Sequence, residues 1–275
     1  MSYLAKCILQ QIHVLLAMIL LLFFLAGCST LKNGRRWGQD AIYPVSLERI
    51  RRAAHDAFFD WKTLVPAAGA LIFAIDDFDE RASDWAIDHT PIFGSIEDAK
   101  DWSDDLRTVL QVETLITAFA TPGGDMSKDW AFSKLKGLTV ELVARGITHS
   151  TTGFLKDWVD RTRPDGKDGG FPSAHASDAF SYATLSNRNL DVIPMSGKVR
   201  LPLKIGNFCL ATGVAWARVE GKRHYPSDVL AGAALGHFIS AFIHDAFIGL
   251  SEDDDVDLAI LPHTEGAMVK VSFIF

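Results

Sequence analysis

The chain has 275 residues, 48% of them apolar, with 34 acidic side chains against 27 basic ones and three cysteines. That length is enough for one sizeable buried core, and the mixed composition excludes a disordered chain. A formal net charge of −7 excludes a general nucleic-acid binder, which needs a broad basic surface, but leaves room for a local basic pocket.

Residues 12–25 form an almost continuous apolar run behind Lys6. It is too short for a comfortable membrane span and has the layout of a secretory signal. Leu25-Ala26-Gly27-Cys28 follows. Small residues before a cysteine at this distance resemble the lipobox of bacterial lipoproteins. The resemblance implies cleavage after residue 27 and lipidation of Cys28. With Ser29 rather than Asp next, it also implies an outer-membrane anchor facing the periplasm in a Gram-negative envelope. The other reading is an uncleaved signal anchor, and both export the chain. Removing residues 1–27 takes away Lys6 and no acidic residue, so the mature charge is −8. Cys7 leaves with the signal, and Cys209, between Phe208 and Leu210, reads as a small core residue.

Residues 28–43 read as a lipidated tether and 44–250 as one helical domain. Apolar residues recur at helical spacing in 46–64, 66–75, 104–120, 135–147, 151–162, 173–185, 205–217 and 226–248. The fold class is therefore all-α. Its most apolar stretch, 229–250, is interrupted by His237, His244 and Asp245, and reads as the buried helix of a bundle rather than a membrane span. The acidic runs Asp76 to Glu80 and Glu252 to Asp255 lack a calcium-loop pattern and read as solvated turns. The seven tryptophans, Trp158 included, read as core. In 251–275, alternation in 256–261 and 267–275 around Pro262 to Gly266 predicts a β-hairpin packed on the helical domain.

Three segments concentrate the chemistry. Lys156 and Arg163 lie seven apart, two turns along one helix, so both can point into one site before Pro164 ends the helix. Phe171-Pro172-Ser173-Ala174-His175 reads as a helix start, with Pro172 in its first turn, free backbone N–H groups and an imidazole beside them. In the third, Arg218 precedes His224, and Asp228 four residues later can reach back to the imidazole Nδ1–H and leave Nε2 free to attack.

In this order the segments resemble the signature of the type 2 phosphatidic acid phosphatase (PAP2) superfamily, which includes class A acid phosphatases and vanadium haloperoxidases. The pattern is Lys-x6-Arg-Pro, Pro-Ser-Gly-His and Ser-Arg-x5-His-x3-Asp. It is matched at Lys156, Arg163, Pro164, Pro172, Ser173, His175, Arg218, His224 and Asp228, and departed from at Ala174 and Ala217. The resemblance implies a PAP2/haloperoxidase-like helical bundle and metal-independent hydrolysis of a phosphomonoester or pyrophosphate. In that scheme His224 becomes a phosphohistidine, Asp228 holds its ring, and His175 exchanges a proton with the leaving oxygen and then with water. Lys156, Arg163, Ser173, the Ala174 N–H and Arg218 hold the phosphoryl oxygens.

No cofactor is implied, although vanadate could sit there as a phosphate analogue. The implied partners are a phosphorylated small molecule or lipid head group, and the membrane through the lipid anchor. Two alternatives stay open: a vanadate-dependent haloperoxidase, and a non-catalytic envelope lipoprotein that retains the fold. A zinc site from His175, His224, Asp228 and His237 lacks compact ligand spacing.

Overall fold

A computed structural model describes residues 29–41, 45–249, 256–263 and 266–273. The secretory signal, Cys28 and the run Glu252 to Asp255 lie outside the described residues. Among the described residues, eight helices follow one another: α1 (Leu47–Phe59), α2 (Trp61–Phe73), α3 (Phe78–His89), α4 (Ile96–Ala120), α5 (Lys128–Val159), α6 (Ala174–Val192), α7 (Gly197–Glu220) and α8 (Pro226–Phe247). They are followed by strands β1 (Val256–His263) and β2 (Gly266–Phe273), paired antiparallel from Val256 opposite Phe273 to His263 opposite Gly266.

Side-chain caps set several helix starts. Ser46, Ser95 and Ser127 each accept a backbone N–H from the residue three positions on. Asp60 ends the first predicted helix early: its extended backbone breaks the chain between α1 and α2, and its carboxylate accepts the Lys62 N–H at 2.9 Å. Pro66, read as a helix start, therefore lies inside α2.

Helices α6 and α8 form the centre. They run parallel, because Gly232, Gly236, Ser240 and Asp245 of α8 meet Ser173, Ser177, Ser181 and Arg188 of α6 in ascending order. Small residues permit the approach. A Cβ on Gly232 would stand 2.6 Å from the Ser173 carbonyl, and one on Gly236 would overlap the Ser177 carbonyl. Helices α1, α2 and α5 cover α8, while α4, α5 and α7 cover α6. Among the described helices only α8 is long and apolar enough to cross a membrane, and most of it is buried in the bundle.

Several expectations are corrected. The two segments predicted around residue 150 are one helix, α5, because tertiary packing carries it through Gly146 and Gly153. The acidic run at Asp76 opens α3, with Asp79 in its first turn and buried. Cys209 is exposed, since it lies on the face of α7 opposite the core. Trp37 is the fully buried tryptophan, while Trp85, Trp102 and Trp158 are exposed, so an aromatic ring alone does not mark a core position. Residues 29–41, expected to tether the domain, pack on it: the Trp37 ring fills a notch at Gly137, and the Trp37 backbone N–H donates to the Pro122 carbonyl at 2.8 Å.

Candidate active site

The parallel arrangement puts the N-termini of α6 and α8 at one end, where the positive ends of two helix dipoles meet the C-terminal turns of α5 and α7. All three signature segments lie there.

Helix α5 stops at Val159, where Asp160 takes a left-handed conformation with φ 45°. Lys156 thus occupies the last turn, but Arg163 lies beyond the helix, and the predicted two-turn spacing on one face is wrong. A folded loop brings the two together instead. The Arg163 N–H donates to the Lys167 carbonyl at 2.7 Å, and Arg223 fastens the loop to the end of α7 through Asp165 at 2.9 Å. Lys156 Nζ and Arg163 Nη2 then converge on the Gly169 carbonyl, at 2.6 and 3.2 Å.

Ser173 is the N-cap of α6, so Pro172 precedes the cap rather than opening the helix. The Ser173 hydroxyl accepts the Ala176 N–H at 3.4 Å, and the Ser173 N–H donates to the Asp228 carbonyl at 2.9 Å. Ala174 is the first helical residue, where a backbone N–H has no acceptor within the helix.

The surroundings of His224 differ from expectation. Its Nδ1–H donates to the Gly170 carbonyl at 2.7 Å, whereas Asp228 Oδ2 stands 3.6 Å away. A carbonyl can only accept, so Nδ1 carries the proton and Nε2 the lone pair. Asp228 is fully buried and otherwise committed: Oδ2 accepts the Tyr225 N–H at 2.9 Å, and Oδ1 meets Arg161 at 3.0 Å. Burial lowers the His224 pKa to about 4 against the opposing pull of Asp228, and Lys156 and Arg218 act in the same sense as burial. The imidazole is therefore neutral at pH 7.

Residues not singled out by sequence complete the site. Asp104 of α4 accepts from His175 Nε2 at 2.8 Å, and Ser103 accepts from Arg218 Nη1 at 2.9 Å. Burial, then Arg218, lower the His175 pKa to about 4 although Asp104 opposes them. Asp79, read as part of a solvated turn, pairs with Arg161 at 2.8 Å and accepts the Ser227 N–H at 2.9 Å. Neither carboxylate carries a local sequence signal, because each is brought to the site by packing from a distant helix.

Lys156 is lowered to about 8 by burial and by Arg163, and Arg218 to about 10 by burial and by Arg223. Cations that depress one another in this way are the electrostatic signature of a site that takes a multiply charged anion. His237 is elsewhere, with its ring nitrogens held by Thr184 at 2.7 Å and Asp60 at 3.0 Å. That removes it from the four-residue zinc set.

Fold and site together define an all-α domain that gathers three cations and two neutral imidazoles around helix N-termini. Residues 137–248 match the family model described as the PAP2 superfamily. The fold is similar to that of a transmembrane PAP2-type phosphatidylglycerolphosphate phosphatase from Bacillus subtilis. The TM-score is 0.51 at 22% sequence identity, over 69% of this chain and 93% of that one. No curated protein matches the chain significantly.

Proposed function

We propose that the protein is a PAP2-type phosphatase that hydrolyses a phosphomonoester or pyrophosphate on a lipid head group through a phosphohistidine on His224. What carries this reading is the neutral His224, whose Nδ1–H is spent on Gly170 while its Nε2 lone pair is available beside Lys156 and Arg218.

Nε2 attacks phosphorus, the bond to the leaving oxygen breaks, and that oxygen takes a proton from His175 in its imidazolium form, which predominates only in the acid range. Water then attacks the phosphohistidine, His175 takes its proton, and the N–P bond breaks to release inorganic phosphate. Lys156, Arg163, Arg218, Ser173 and the Ala174 N–H stabilise the equatorial oxygens. Removing one such donor from a water-poor site costs about 3–4 kcal/mol of transition-state stabilisation. The scheme assigns no role to a metal ion, and vanadate is expected to compete as a phosphate analogue.

Two observations support a lipid substrate: the named activity of the Bacillus subtilis protein, and exposed Phe154 and Trp158, four residues apart on one face of the last turns of α5. A membrane location fits both, and an anchor on Cys28 in the outer membrane would supply it.

The test compares phosphatidic acid, phosphatidylglycerolphosphate and an isoprenoid diphosphate with a soluble phosphomonoester, in the presence of chelator. The lipids are expected to be preferred, and His224→Gln should abolish turnover and phosphoenzyme formation. Undiminished turnover by that variant overturns the mechanism. Phosphate binding without turnover by the unaltered protein supports the non-catalytic reading instead.

A further inference from the structure

We infer that Arg161, anchored by Asp79, is a positioning residue that sets both the hydrogen bond and the charge on the Nδ1 side of His224. Calling His224 a nucleophile rests on the phosphatase reading; the positioning itself does not.

Arg161 lies between Lys156 and Arg163 and is not one of the matched family positions. Its Nη1 donates to Asp228 Oδ1 at 3.0 Å and to the Ser227 hydroxyl at 2.7 Å, and its Nη2 to Asp79 Oδ2 at 2.8 Å. Asp79 is 3% exposed and accepts the Ser227 N–H at 2.9 Å and the Ser227 hydroxyl as well. The guanidinium carbon lies 4.5 Å from the centre of the Tyr225 ring. Four contacts of this kind hold the side chain in one orientation.

The backbone of the same residue provides a second route. The Arg161 carbonyl accepts the Gly170 N–H at 2.6 Å, and the Gly170 carbonyl accepts the His224 Nδ1–H at 2.7 Å. Arg161 therefore reaches His224 twice: its backbone orients the acceptor on Nδ1, and its side chain counters the carboxylate 3.6 Å from that nitrogen.

The charge matters because Asp228 is fully buried. A buried carboxylate with no counter-ion would draw a proton onto the neighbouring imidazole. The charged groups that act on His224 are Asp228 from α8, Lys156 from α5 and Arg218 from the last turn of α7, and the Gly170 carbonyl faces it from the loop. Lys156 and Arg218 oppose the imidazolium, and Asp228 favours it. Arg161 weakens the pull of Asp228, which helps to keep the imidazole neutral as pH falls into the acid range.

The test is a nitrogen-15 histidine NMR titration of the full chain, with His224 assigned from His224→Gln. It is run on the unaltered protein, Arg161→Gln, Arg161→Lys and Asp79→Asn, with kcat and KM for a lipid phosphate measured on the same samples. The unaltered protein should show the Nδ1–H tautomer. Arg161→Gln should raise the His224 pKa by about one unit. It should also lower kcat roughly tenfold or more, with KM changed by less than about threefold. Arg161→Lys should restore most of the titration, and Asp79→Asn should shift it in the same direction by less.

A folded Arg161→Gln protein whose His224 titration is unmoved overturns the inference. If Arg161→Gln does not fold, an unmoved titration in Asp79→Asn overturns it equally. A moved titration in a protein that releases no phosphate from any substrate upholds the positioning and refutes the phosphatase reading.

Discussion

The Gly170 carbonyl, not the Asp228 carboxylate, is the acceptor for the His224 Nδ1–H: it stands at 2.7 Å, against 3.6 Å for Asp228 Oδ2. The tautomer of the central imidazole thus depends on a loop carbonyl whose position has little slack. A Cβ on Gly170 would stand 2.9 Å from the Arg161 carbonyl and 3.5 Å from Asp228 Oδ2. Gly170→Ala must shift this peptide, and kcat is expected to fall about tenfold or more with little change in unfolding temperature. Wild-type kcat in the variant would show that the carbonyl does not orient the ring.

In the proposed mechanism the pH dependence follows from the two imidazoles. His224 acts as the neutral base form, so its contribution is present above its pKa of about 4. His175 acts as the protonated acid form, so its contribution is present below its own pKa of about 4. A base and an acid with similar values give a bell for kcat/KM centred on them, so kcat/KM should rise as pH falls from 8 toward the acid range. A bound phosphate dianion favours both imidazolium forms, so the kcat optimum should lie at higher pH than that of kcat/KM. An alkaline optimum for kcat/KM would contradict these roles.

The carboxylate of Asp104 raises the His175 pKa through its hydrogen bond and its charge, against burial and Arg218. Asp104→Asn removes that support, so the His175 pKa should fall further and the alkaline limb of kcat/KM should move to lower pH. Asp104 also favours the charged form of Arg218, so KM should rise modestly alongside the moved limb. An unmoved alkaline limb would make Asp104 a surface partner without influence on the acid.

Much of this site was legible because His175, Arg218, His224 and Asp228 belong to short spacings that survive any uncertainty about helix boundaries. The Lys156 and Arg163 pair was legible as a pair but not as geometry: the helix ends at Val159, and the loop, not helical periodicity, brings the cations together. Asp79 and Asp104 were not legible as site residues. Asp79 sits in an acidic run that looks solvated, and Asp104 is an ordinary polar residue in a helix; only the packing of α3 and α4 against the site gives either a partner. The fold class follows from periodicity, whereas the parallel α6 and α8 pair depends on contacts 59 residues apart, such as the Ser181–Ser240 hydrogen bond at 2.6 Å.

That helix pair gives a prediction of its own. A methyl group on Gly236 would overlap the Ser177 carbonyl, a backbone atom with no rotamer to relieve the clash. Gly236→Ala should destabilise the protein by about 1–3 kcal/mol, read from the denaturant midpoint at unchanged slope. It should also lower activity beyond the loss of folded protein, because α6 carries Ser173 and His175 while α8 carries Asp228. A fully stable variant would show that the helices can separate freely here.

Glu141 lies away from the site, buried between α5 and α6, where Asn189 Nδ2 donates to its Oε1 at 2.7 Å. Burial pushes its carboxyl from an ordinary 4.5 up to about 8, despite the hydrogen bond from Asn189 and the nearby charge of Lys134. Between those two values the folded protein keeps a proton that the unfolded chain has released, so this residue lowers stability progressively as pH rises from 4.5 to about 8. Glutamine retains an Oε1 acceptor for Asn189 and has no proton to lose. Glu141→Gln should therefore leave the unfolding temperature nearly unchanged near pH 4.5 and raise it increasingly toward pH 8. Thermal melts of both proteins at the two ends of that window measure the difference, and an equal shift at both would show that Glu141 does not titrate anomalously in the fold.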